Sequence, residues 1–378
     1  MKLSRAAAWR IQIAELLALG GGTLVLFPLL WLFRTRAGLD ASEDFIDAFA
    51  YHAALVINNP HFAVSYLLFY KDARSRLRRG FYSPRQRARY VFSGFIVPVA
   101  LLAWGIFALK TGSARSLGFM IELMFLLVGW HYVKQGFGIL TVFSARRGFR
   151  FAPRERLAVL GHCFAGWAYA WASPAVPGKT VQEKGVVYHA LAHPRWLEQG
   201  TKVAFGLSTL VMIVALVARW RKDRQRPPAG PFVAFLVTIW LWTVYSSIDP
   251  LMLYLIPALH SIQYLVVVRL LKRNEARETE GPPLFGRPVA VRLAQLAGAA
   301  VALGWVLFRG VPGLLDGALV VRARAGQPLS DLGDTPYFAA IFVVVNIHHY
   351  FLDTVLWRRE NPETRYLFSI DDVDRIEP

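Results

Sequence analysis

A single cysteine, Cys163, stands in a chain of 378 residues. That scarcity excludes a disulfide framework, a cysteine-rich zinc site and a cysteine-ligated iron–sulfur cluster within the chain. The attachment pattern of a c-type haem is absent as well. Acidic residues are few, with 25 Asp and Glu against 43 Lys and Arg and a formal net charge of +18. Long hydrophilic segments are nearly missing: only 173–201, 309–334 and the tail after Trp357 are sizeable. No soluble domain can be built from them.

What the chain has instead is apolar length. Hydrophobic residues make up 55% and the mean hydropathy is +0.37. Apolar runs fall at about 11–33, 47–70, 90–109, 117–143, 155–172, 202–218, 231–247, 251–271, 288–308 and 335–357. Each approaches the length that ~30 Å of hydrocarbon demands at ~1.5 Å per residue. The expected fold is therefore all-α, a polytopic integral membrane bundle of about ten transmembrane helices forming one domain over 1–378. The basic start, Met1 to Arg10, precedes a run longer than a signal-peptide core and reads as the lead into a retained first helix. The Asp249-Pro250 pair supplies a tight turn between the seventh and eighth runs.

The basic residues sit in clusters between the runs, which speaks for topology rather than nucleic-acid binding. With the N-terminus inside, the inner segments 1–10, 71–89, 144–156, 219–229, 269–287 and 358–378 hold 30 Lys and Arg, and the outer segments hold 11. This asymmetry predicts both termini inside, a basic cytoplasmic loop at 71–89, an external loop at 173–201 and a cytoplasmic tail at 358–378. The location expected is a bacterial inner membrane, with the lipid bilayer as a partner and no nucleic acid.

Ionisable residues within membrane spans are costly and mark function. Here they gather on four runs, and the first, third, sixth, seventh and ninth contain no histidine. The second run carries His52, Asn58-Asn59-Pro60 and His61. The fourth carries His131, Lys134 and Gln135. The eighth carries His260 and Gln263, and the tenth carries Asn346, His348-His349 and Asp353. His61 lies 10 residues from the first inner basic residue, His260 and His349 lie 9, His348 lies 10 and Gln135 lies 11. At ~1.5 Å per residue these groups share a plane roughly 15 Å from the inner boundary, with His131 about 6 Å further out.

Helical spacing places His131, Lys134 and Gln135 on one face, His260 with Gln263 and Tyr264 on another, and Asn346, His349 and Asp353 on a third. Asp353, one turn after His349, suits a carboxyl that orients an imidazole. Several neutral imidazoles with few carboxylates fit a transition metal: iron foremost, with copper, zinc or haem as alternatives. The candidate ligands are His52, His61, His131, His260, His348 and His349. Asn58, Gln263 and Asn346 are candidates to orient them, and Lys134, Gln135 and Asp353 to handle protons or a substrate head group. Lys134 has Asp353 or Glu122 as a candidate ion-pair partner. Hydrogen-bonded glue between helices is the alternative role for the same side chains. Pro60 and its two asparagines predict a break in the second run. His162 reads as a packing residue, and His189 and His193 as surface residues.

The pair His348-His349, with histidines spread over several spans, resembles the histidine-rich integral-membrane oxidoreductases: desaturases, lipid hydroxylases and carotenoid-cleaving enzymes. The resemblance implies a metal-dependent oxidoreductase acting on a lipid-like or other hydrophobic small molecule and drawing on a redox partner. Two other classes stay open from the residues alone: a transporter of a metal ion or small solute, and a haem-bearing electron carrier.

Overall fold

Backbone that crosses hydrocarbon must satisfy its own hydrogen bonds, so apolar runs fold as helices. A computed structural model describes residues 5–38, 45–46, 48–49, 52–78, 80–174, 177–246, 250–279, 288–320 and 332–368. The principal elements are α1 (Arg5–Leu16), α2 (Thr23–Ala37), α3 (Asn58–Tyr70), α4 (Pro84–Lys110), α5 (Ala114–Arg146) and α6 (Pro153–Ala172). There follow β1 (Thr180–Glu183), β2 (Val186–His189), α7 (Arg195–Asp223), α8 (Ala229–Val244), α9 (Pro250–Thr279), α10 (Val289–Leu319) and α11 (Pro336–Leu356). Asp249 and the tail beyond Phe368 lie outside the described residues.

Six of these are long and apolar enough to cross a membrane: α4, α5, α7, α9 from Leu255, α10 and α11. The first run adds a seventh if its two halves, bent by 63°, count as one span. The chain is thus nearly all-α and of membrane character. The three remaining runs also hold helices, but α3 has 13 residues, α8 is short, and α6 falls below the apolar character of a span.

The helix starts are written in the sequence. Ser83 and Ser113 each turn a hydroxyl back to the amide three residues on, Gln86 at 3.3 Å and Ser116 at 3.2 Å, capping α4 and α5. Proline occupies the first turn of α4, α6 and α11, where its missing N–H costs nothing. At the second run the helix begins only at Asn58, after a turn over 54–57, so Pro60 lies in the first turn of α3. The expected break thus falls just before the Asn-Asn-Pro triplet.

The sharper break was not anticipated. Between α1 and α2 the chain passes through Leu17–Gly21, where Gly20 has φ 129°, a conformation that favours glycine. Polar side chains hold this elbow. Gln263 of α9 donates to the Leu19 carbonyl, and the Trp242 indole of α8 donates to Thr23 Oγ1 at 2.9 Å. The second departure is the antiparallel pair β1–β2 inside the expected external loop, with Val186 and Tyr188 buried against the N-terminal half of α5. Burial alternates along β2, with Val186 and Tyr188 inward and Val187 and His189 outward, but a four-residue strand is a signal too short to stand out beside the long runs.

The helices sort by cover. In α11, 72% of the apolar window is buried, against 11% in α7 and 17% in α10. α11 packs on α3, α4 and α5, and α9 packs on α3. The outer helices display rows of apolar side chains: Val203, Leu207, Leu210, Val211, Ile213 and Val214 of α7 are all exposed. Such a surface would be an aggregation hazard in water and is ordinary against acyl chains. After α11 the chain folds back as a short turn, Pro362–Phe368. Arg146 Nη1 donates to the Leu367 carbonyl (2.9 Å), Asn274 Nδ2 to the Tyr366 carbonyl (2.8 Å) and Arg76 Nη2 to Glu363 Oε1 (2.7 Å). The start of the segment expected as a cytoplasmic tail is therefore tied to α5, α9 and the segment after α3.

α10 reaches α3 through a glycine. A Cβ on Gly304 would sit 2.8 Å from the carbonyl carbon of Asn59, and backbone yields less than a flexible side chain. Gly304→Ala is expected to destabilise the detergent-solubilised protein by ~1–3 kcal/mol, the usual cost of overpacking. Gly298→Ala on the same helix meets open space and should leave the melting temperature unchanged or higher. Thermal unfolding of the two variants side by side checks both.

Candidate metal centre

Four helices bring one imidazole each to a common point: His61 from α3, His131 from α5, His260 from α9 and His349 from α11. The four rings are between 0% and 4% exposed. Ring centroids of His61 lie 4.4 Å from His349, 4.9 Å from His260 and 6.4 Å from His131. His131 lies 4.9 Å from both His260 and His349. His61, His131 and His349 each offer a ring nitrogen within 4.8 Å of the other two. His131 Nε2 and His260 Nε2 approach to 3.1 Å.

These separations are near those of a shared ion. Imidazole nitrogens bind zinc-like ions at about 2.0–2.1 Å, which puts two of them ~3.3 Å apart on a tetrahedral centre and at most ~4.2 Å apart across one. The pair at 3.1 Å meets the first value, and the triad needs only small side-chain motion. The stronger observation is a deficit. Both ring nitrogens of His61, Nδ1 of His260 and Nε2 of His349 are buried without a hydrogen-bond partner. A buried polar atom left unpaired costs about 1–3 kcal/mol, and native proteins rarely leave several together. A cation binds one nitrogen of an imidazole, so a bound cation could relieve part of this deficit and would leave the second nitrogen of His61 over.

The surroundings fix the rings. Ser65 Oγ, one turn after His61 on α3, lies 2.6 Å from His349 Nδ1. Asp353 Oδ2 lies 3.7 Å from His131 Nδ1 and 3.8 Å from His349 Nε2, and Asp353 Oδ1 accepts from the Tyr264 hydroxyl at 2.8 Å. Aromatic rings close the cluster off from water: Tyr264 stands 4.6 Å from His61, Tyr132 4.4 Å from His260 and Tyr350 4.8 Å from His131. In this dry setting the one buried carboxyl touching two imidazoles is the natural counter-charge for a metal ion.

The remaining sequence candidates stand elsewhere. His348 is buried, but its Nδ1 lies 3.0 Å from the Tyr66 hydroxyl and its Nε2 lies 3.1 Å from the Ser93 carbonyl, so neither nitrogen is left for an ion. Adjacent residues on a helix point about 100° apart, which is why only one of the pair faces the cluster. His52 is exposed and outside the buried group. Lys134 projects uncovered from α5, and among the described residues it pairs with neither Asp353 nor Glu122. Gln135 donates to Gln263 Oε1 at 2.6 Å and to the His260 carbonyl at 3.3 Å. Gln263 passes the chain on to the Leu19 carbonyl and to Thr238 Oγ1. Asn58 Oδ1 accepts from Ser261 at 2.9 Å, while Asn346 donates to Phe342 and accepts from Tyr350. Gln135, Gln263 and Asn58 tie helices together, Asn346 bonds within α11, and none of these hydrogen bonds goes to an imidazole nitrogen.

Ser65 was the residue that sequence reasoning did not place, whereas Tyr264, read on one face with His260, does stand beside His61 and Asp353. Ser65 carried a signal, since it lies four residues after His61 on the same face. His162 does pack, with its ring stacked on Phe205 at 4.9 Å.

No family model matches the chain, and neither a curated protein nor a solved structure does, so the chemistry of the site rests on its own donor atoms.

Removing His61 or His349 by alanine substitution should lower bound transition metal, measured by plasma mass spectrometry on purified protein, to a tenth of wild type or less. Ser65→Ala should weaken metal affinity ~10–100-fold, as removal of a ligand's hydrogen-bond partner does. His348→Phe is expected to keep the metal and lose stability instead. Metal retained in the His61 variant and lost in the His348 variant would reverse the assignment.

Proposed function

We propose that this chain is a membrane-embedded, metal-dependent oxidoreductase that acts on a lipid or other hydrophobic small molecule. The observation that carries the proposal is the convergence of four buried imidazoles and one carboxyl, with unpaired nitrogens, within the apolar interior. Mixed imidazole and carboxylate donors suit non-haem iron, the metal favoured here, while copper and zinc accept much the same set. Haem fits less well, because the third and fourth imidazoles fill the space that a macrocycle between two axial histidines would take.

In this reading His61, His131, His260 and His349 hold the ion, and Asp353 balances its charge. The ion, when bound, supplies one-electron chemistry and activation of oxygen. The rest falls to the chain. Aromatic walls exclude water and leave an apolar substrate without competition from it. Asp353 and the Tyr264 hydroxyl form a hydrogen-bonded pair through which a proton can reach the cluster. Oxygen insertion into a C–H bond consumes one O2, two electrons and two protons, and releases water. A reductant must therefore deliver electrons, and the basic side chains within 71–78, 80–89 and 269–279 offer it a charged landing face. The same reading keeps the ten-span, N-in/C-in topology drawn from the charge asymmetry, and a bacterial inner membrane as the location.

One observation favours a second reading. The elbow between α1 and α2 is a broken helix tied by Gln263 and Gln135 to the His260 carbonyl, and broken helices beside an ion site are a device of transporters.

Metal-loaded protein in proteoliposomes, given oxygen, a chemical reductant and extracted membrane lipid, should produce lipid species heavier by one oxygen or lighter by two hydrogens in mass spectrometry. The His61→Ala protein should yield none. Unchanged lipids together with uptake of metal into the vesicles would decide for the transporter.

A further inference from the structure

At the membrane end where α3 and α9 finish and α10 begins, the three helices frame a cavity of about 240 Å³. Its lining falls into two zones. Lys71, Lys272, Glu275 and Arg292 form one, and Leu67, Leu68, Ala276, Leu293 and Leu296 form the other. Lys71 Nζ reaches Glu275 Oε1 at 3.3 Å, and Lys272 Nζ contacts Glu275 Oε2. A single carboxylate thus serves two ammonium groups, and Arg292 adds a third basic side chain to the lining. The first turn of α10, whose helix dipole adds positive potential, opens at the same place.

The two zones follow the membrane axis. On α3 the leucines precede Lys71 by three and four residues, toward the middle of the bilayer. On α10 Leu293 and Leu296 follow Arg292 into the span. Charge therefore lies at the mouth and leucine lies deeper, on both helices. A soluble anion would use only the mouth. A ligand that uses both zones carries a negative head and an apolar tail.

We propose that this cavity binds the headgroup of an anionic phospholipid, with the phosphate among Lys71, Lys272 and Arg292 and the first acyl methylenes along the leucines. Basic pockets between helices at the membrane surface favour such lipids, and each Lys or Arg near the surface contributes of the order of 1 kcal/mol of attraction. The site is separate from the histidine cluster: Leu67 and Leu68 stand six and seven residues after His61 on α3, and Lys272 stands 12 after His260 on α9. Its failure would leave the proposed metal chemistry untouched, and the reverse also holds.

Native mass spectrometry of the detergent-purified protein titrated with phosphatidylglycerol, phosphatidylcholine or inorganic phosphate tests the assignment. Phosphatidylglycerol should bind at least tenfold more tightly than phosphatidylcholine. Lys71→Gln combined with Arg292→Gln should reduce that preference at least fivefold while bound metal stays at the wild-type level. Leu293→Trp, which fills the cavity and leaves the charges in place, should reduce phosphatidylglycerol binding as well and so guards against misfolding of the charge variant. Equal binding of the two lipids, or wild-type preference in both variants, overturns the proposal. Inorganic phosphate competing as well as phosphatidylglycerol also overturns it, in favour of a soluble anion.

Discussion

A polar atom inside hydrocarbon has no water to fall back on, and the interior of this protein is arranged around that constraint. Most buried side-chain donors and acceptors find each other across helices: Tyr264 with Asp353, Gln135 with Gln263, Ser261 with Asn58, His348 with Tyr66 and Ser93. Among the exceptions one group stands out. Four of the unpaired ring nitrogens, on three of the four converging imidazoles, meet at one place. Other unpartnered buried atoms are scattered singly over the described residues, so four on neighbouring rings form the densest such group.

The helices around this point divide the work. α11 is the most enclosed and supplies His349 and Asp353 one turn apart, so a single helix sets both a donor and its counter-charge. α3, α5 and α9 each add one imidazole. The peripheral α7 and α10 contribute no imidazole to the cluster and present apolar side chains outward. The amides Gln135, Gln263 and Asn58 act at one remove, holding the elbow after α1, α3, α5, α8 and α9 in register, so that the rings need little freedom to meet.

Helix positions and the level at which the imidazoles meet were legible in the sequence, because hydropathy and the distance to the nearest arginine or lysine both count residues along a straight axis. His61, His260 and His349 were matched in depth before any fold was known, and they do converge. What depth cannot give is azimuth. His348 and His349 share a level, and only the packing of α11 against α3 and α4 decides which one faces the cluster. The elbow at Gly20 was invisible for a related reason: Leu17 to Thr23 is apolar or small throughout, so hydropathy runs straight through a break that is held by partners more than 200 residues away. Lys134 shows the opposite limit. Its shared face with His131 was read from spacing, yet one helix face spans a wide arc, and its edge lies outside the bundle's cover.

The bonds of His348 to Tyr66 and Ser93 have a mechanical consequence. A turn of α11 by a single residue, roughly 100°, would swing His349 away and offer its neighbour in its place. Anchoring His348 on α3 and on the backbone of α4 works as a detent on that rotation. The helix gains a fixed angular setting from a side chain that lies outside the cluster, and one imidazole of the pair acts as the key that indexes the other.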